Sequence, residues 1–105
     1  MTLTSQEQKN IGGEIIRQLG GHRFIAMTGA RYFVALENGG AAFQFRGSKV
    51  ANICQIELDA SDTYTVTFKK FHGANVRTIG EPLTGVYNDM LQSIFTDVTG
   101  LACHL

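Results

Sequence analysis

The chain has 105 residues, 44% of them hydrophobic, and its nine basic and nine acidic residues cancel. One hydrophobic core fits that length and two do not, the apolar share excludes a disordered chain, and the cancelled charge excludes a global field that would draw the protein to nucleic acid or to a membrane. Neutrality also eases self-association, and with open edge strands it leads to the expectation of a homodimer. Cys54 and Cys103 form no disulfide framework, and "MTLTSQEQKN" lacks the basic start and apolar run of a secretory signal. No apolar run approaches the roughly 20 residues that cross a bilayer. The expectation is a cytoplasmic single domain over residues 1–105 with no membrane contact, and the sequence holds no repeat or linker.

In chain order, "LTSQEQKNIGGEIIRQLGG" opens with Thr4 and Glu7 at capping-box spacing and sets Ile11, Ile15, Ile16 and Leu19 on one side, which predicts a helix. Gly12 and Gly13 each cost that helix about 1 kcal/mol against alanine, or mark the close approach of another backbone. From Arg23 the period turns to two. "RFIAM", "YFVAL" and "AAFQF" read as a three-strand meander joined by "TGAR" and by "NGG", a two-residue hairpin signal. "ANICQIEL" gives a fourth strand and "TYTVTFKKF" a fifth, with Tyr64, Val66 and Phe68 inward and the threonines between them outward. "HGAN" turns into a short "VRTI", a sixth strand, and "GEPLTG" ends the sheet. "GVYNDMLQSIFTDVTGL" returns to helical spacing, with Val86, Met90, Leu91, Ile94, Phe95 and Val98 on one side and Gly100 as C-terminal cap. The fold class is therefore α+β: a mostly antiparallel sheet of five to six strands with an N-terminal and a C-terminal helix packed on one face.

"FIAMTGARYFVAL" places Gly29 and Arg31 where a phosphate loop could sit. Such a loop needs several glycines leading into a helix N-terminus, whereas "TGAR" leads into another strand pattern, so a turn with Gly29 at positive φ is the reading. "GGEIIRQLGG" fails as a nucleotide fingerprint because no strand precedes it. Cys103 and His104 are adjacent, a spacing that does not serve one tetrahedral ion, and Cys54 alternates in phase with Ile56 and Leu58 as a buried thiol. His22, His72 and His104 read as surface groups. No serine or cysteine has a positioned base, and Glu37, Asp59 and Asp62 flank turns, so the chain reads as no enzyme, without cofactor or metal. All the basic residues fall between Lys9 and Arg77. "FKKFHGANVR" gathers Lys69, Lys70, His72 and Arg77 beside Phe71, and Arg46 with Lys49 lies in another loop. These form either a phosphate-tracking patch or an ordinary solvated hairpin with a bulge at Lys69 and Lys70.

Taken together, "QLGG", "FIAMTGA", "TYTVTF" and the terminal "GVYNDMLQSIFTDVTGL" resemble small uncharacterised proteins of bacteriophages and prophages over nearly the whole chain, with "NGGAAFQFRGSKV" departing from the pattern. The resemblance carries no catalytic or ligand-binding residues across. It implies a phage accessory protein that binds without catalysis to a host protein or protein–nucleic acid complex in the bacterial cytoplasm, such as an anti-CRISPR inhibitor of host defence. Aromatic and arginine anchors nominate Arg31, Tyr32, Phe71 and Arg77 for that contact. The alternative is a single-stranded nucleic-acid binder using Arg46, Lys49, Lys69, Lys70 and Arg77.

Overall fold

The computed structural model describes residues 3–103. Helix α1 (Ser5–Leu19) starts where the sequence places it: Glu7 N donates to Thr4 Oγ1 at 3.1 Å and Thr4 N donates to Glu7 Oε1 at 2.9 Å, closing the capping box. Those hydrogen bonds hold the Glu7 carboxyl below its ordinary pKa. Ile15 and Leu19 are fully buried, and Gly20 at φ 129° ends the helix. Gly12 is a close-approach residue, since a Cβ there would lie 3.3 Å from the Gly40 carbonyl oxygen, whereas one on Gly13 would meet open space.

The next segment departs from the sequence reading. "RFIAM" is no strand but part of α2 (His22–Thr28), a helix that buries Phe24 and Thr28 and is capped by Gly29 in the left-handed region at φ 67°. A short apolar run carries no decisive period, and the one-turn spacing of Phe24 and Thr28 suits a helix as well as a strand. Gly29 has the positive φ expected of it, as a helix cap rather than a link between strands.

Five strands follow, β1 (Arg31–Ala35), β2 (Gly40–Gln44), β3 (Ile53–Leu58), β4 (Tyr64–His72) and β5 (Asn75–Val86), in an antiparallel meander ordered β1-β2-β3-β4-β5. The "NGG" hairpin exists with a shifted turn. Gly39 N donates to Leu36 O, making Glu37 and Asn38 the central pair, and Gly39 takes φ 97° to rejoin the ladder. Tyr64, Val66 and Phe68 are buried and the threonines between them are half-exposed, as the alternation predicts.

Lys69 and Lys70 carry no bulge, because they pair regularly with Thr78 and Arg77. The irregularities lie instead opposite Tyr64, Val66 and Phe68, where β5 runs on through "GEPLTG" to Val86 rather than ending at Ile79. An edge strand accommodates Pro82, and Gly80 and Gly85 at φ 65° and 66° supply its kinks. Val86 thus closes the sheet and Met90 sits in a 3₁₀ turn (Asn88–Met90), so α3 (Leu91–Thr99) begins later than the periodicity suggests and ends at Gly100 in the left-handed region.

All three helices cover one face of the sheet. Phe95 of α3 stands against Phe24, Phe43, Phe45 and Phe68 with ring centroids 4.9 to 6.4 Å apart, joining the helix layer to β2 and β4. Among the described residues no helix is long and apolar enough to cross a membrane.

Candidate functional site

At one edge of the sheet every side chain of β1 is exposed, although its sequence is "RYFVA". Three consecutive apolar residues cannot all face the core of a strand that alternates, and here the ladder is also broken: Arg31 pairs with Gln44 and Val34 with Ala42, leaving one extra residue on β1. Tyr32 takes φ 57°, a conformation that costs a side-chain-bearing residue about 1 kcal/mol. Its ring is 66% exposed, with the Arg31 guanidinium 5.1 Å from its centroid. Phe33 leans on Phe43, Val34 is 57% exposed, and between β1 and α1 opens a groove of about 320 Å³ lined by Gly12, Gly13, Ile16, Phe33, Val34 and Ala35. Lys9 is the charged group in its lining, and Arg31 is exposed on the same strand as Phe33 and Val34; no carboxylate lines the groove.

The opposite edge is the β4–β5 arm. Its tip turns through Gly73 at φ 63°, and Lys70 faces Arg77 while His72 faces Asn75 across the ladder. Asn52 braces the base: its backbone N donates to Lys69 O at 3.0 Å, and its side chain receives Phe71 N–H at 2.9 Å and donates to Phe71 O at 3.0 Å. Lys70 Nζ donates to Lys49 O at 2.7 Å.

Strand order therefore splits the nominated contact set. Arg31 and Tyr32 lie on the β1 edge and Phe71 and Arg77 on the β4–β5 arm, about 14 Å away for Phe71 and about 19 Å for Arg77 at about 4.8 Å per strand. The nucleic-acid set fares differently. The register row Arg31–Gln44–Ile53–Lys69–Thr78 crosses the sheet at one end, and Arg46, Lys49, Lys70 and Arg77 lie at or just beyond it. Glu37, Glu57, Asp59 and Asp62 collect at the other end, beside the β1–β2 and β3–β4 turns. Charge that cancels over the chain is thus segregated along the strands. The ion pair among the described residues, Arg17 with Glu14, is on α1, so no cation of the basic end is in one.

The thiols of Cys54 and Cys103 are free and buried, and desolvation pushes both above the ordinary thiol range. His22 and His72 are exposed; His104 lies outside the described residues. No group of three potential metal ligands occurs among the described residues. Sequence reasoning missed Lys9, Ile16, Phe33 and Val34 as site residues, and the signal was there in the unbroken apolar "YFV".

These features define a small α+β protein with one exposed apolar edge and one basic end. No protein-family model matches the chain, and no curated protein or solved structure matches it significantly.

Proposed function

We propose that the protein is a non-catalytic binding protein that docks through the β1 edge onto a host protein or protein–nucleic acid complex, as a phage accessory protein restraining host defence does. The observation that carries this reading is the bare apolar edge itself: Tyr32, Phe33 and Val34 exposed in sequence beside an apolar groove. Lys9 lines it and Arg31 is exposed on the same strand, and that charge suits a partner segment offering an apolar side chain beside carboxylates. The extra residue in β1 interrupts its hydrogen-bonding edge, which favours side-chain docking in the groove over addition of a long strand.

The test is affinity capture of the tagged protein from bacterial lysate, with and without nuclease, beside the variants Tyr32→Ala with Val34→Ser and Lys70→Ala with Arg77→Ala. A complex that survives nuclease, is lost from the first variant and is kept by the second supports the reading. A complex indifferent to Tyr32 and Val34 sinks it, and a dimer mass in light scattering abolished by the same pair assigns the edge to a second copy of the chain.

A second reading, a single-stranded nucleic-acid binder, is favoured by the gathering of Arg46, Lys49, Lys69, Lys70 and Arg77 at one end of the sheet without carboxylate partners. It predicts capture that nuclease abolishes and affinity that falls steeply with salt.

A further inference from the structure

Lys70 and Arg77 face each other directly on neighbouring strands, an arrangement in which like charges repel. An ordinary surface hairpin relieves such a pair with a carboxylate, and none lines this one. The pair instead borders an open recess of about 310 Å³ whose other lining residues are His72, Asn75 and Val76. Alternation and register put Lys70, His72, Asn75 and Arg77 on one face of the arm as two facing pairs. Every polar side chain around the recess can donate: an ammonium, a guanidinium fork, an imidazole N–H and an amide NH₂.

Lys70 is also held in place. Asn52 fixes the backbone on both sides of Lys70 through Lys69 O and both backbone groups of Phe71, and Lys49 O takes one of the three ammonium protons, leaving two free. A cationic recess on a braced strand, with its repulsion unrelieved, is complementary to a bound anion, and the fork of Arg77 beside the point charge of Lys70 matches a phosphate oxygen pair.

We propose that this recess is a phosphate-binding site that holds one phosphodiester of a single-stranded nucleic acid. The continuation argues for a polymer rather than a lone anion: Lys49 adjoins Lys70 through its carbonyl oxygen, offering charge to a neighbouring phosphate. Val76, 60% exposed at the lip, gives apolar surface to a base or sugar. The site rests on the nucleic-acid reading and sharpens it to one anchoring position.

The experiment is a ¹⁵N NMR titration of the full chain with inorganic phosphate and with a ten-nucleotide oligothymidylate, alongside oligonucleotide affinities at several salt concentrations. The variants are Lys70→Ala with Arg77→Ala, and Arg17→Ala as a control on α1. Both ligands are expected to shift the amides of Lys70, His72, Asn75 and Arg77. The double substitution is expected to weaken the oligonucleotide by about 20-fold near 0.1 M salt and to reduce the salt slope by about 1.4, at about 0.7 per lost cation. Its melting temperature stays level or rises, because a repulsion is removed, and Arg17→Ala binds as the parent does. Oligonucleotide binding that leaves the arm's amides unmoved overturns the site while the broader reading survives. Phosphate binding at the arm without oligonucleotide binding overturns both the polymer assignment and the broader reading, and makes free phosphate or a small phosphate ester the ligand.

Discussion

The β1 edge and the β5 edge belong to one sheet and are built oppositely. At β1 the outermost strand exposes Tyr32, Phe33 and Val34 beside α1; at β5 it is a twelve-residue strand, exposed for most of its length, with Pro82 and kinks at Gly80 and Gly85. A sheet edge needs some device that stops it pairing indiscriminately. The β5 edge uses proline and distorted pairing, whereas β1 uses a single extra residue forced into the left-handed region and leaves its apolar side chains outside. The β5 edge is thus blocked against strand pairing, whereas the β1 edge keeps apolar side chains on the surface.

The largest test of that contrast strikes what both edges share. Phe95→Ala removes the ring that joins α3 to Phe24, Phe43, Phe45 and Phe68, and should cost about 3–5 kcal/mol in urea unfolding, with hydrogen-exchange protection lost at both edges together. Protection lost at one edge only would mean that the sheet is not a single cooperative unit. Gly40→Ala acts on the β1–β3 side of the sheet and not on β4–β5. Its Cβ would stand 2.2 Å from the Ile56 carbonyl oxygen, at φ 151°, so about 2–3 kcal/mol should be lost, and β1–β2 amides should exchange sooner than those of β4–β5.

Alkaline pH probes the core between the edges. Burial raises the Cys54 pKa above its ordinary value of 9.0, so the folded state keeps a neutral thiol where the unfolded chain has begun to ionise. Stability from this group is complete below pH 9 and declines as pH rises above it, by about 1.4 kcal/mol at pH 10. Urea midpoints between pH 8 and 10, with Cys54→Ala as reference, measure it; equal slopes in both proteins would refute it. The smallest effect has the opposite sign. Tyr32→Gly relieves the left-handed strain and should raise stability by about 1 kcal/mol while weakening capture of the partner. A variant that gains stability and keeps full binding would leave the β1 edge with no role for its aromatic anchor.

Much of the architecture is legible in the sequence alone. The capping box of Thr4 and Glu7, the period-two run from Tyr64 to Phe68, and the Gly100 cap are local signals, and each stands where periodicity and turn chemistry put it. "RFIAM" reads as a strand because a run of a few apolar residues satisfies either period; burial of Phe24 against Phe43 and Phe95 selects the helix. The turn-like "GEPLTG" reads as the end of the sheet, and only the strand's place at an edge lets β5 run on through Pro82.

The sites divide along the same line. Residue types and their spacing named Lys69, Lys70, His72 and Arg77 as a local group, since a hairpin brings sequence neighbours together. That Lys49 joins them, that Arg31 and Tyr32 lie on the far edge from Arg77, and that "YFV" faces solvent all depend on strand order and on which face the helices cover. Local sequence determines hydrogen bonds and side-chain direction over a few residues. The company each strand keeps is set by long-range burial, which no short stretch of the chain encodes by itself.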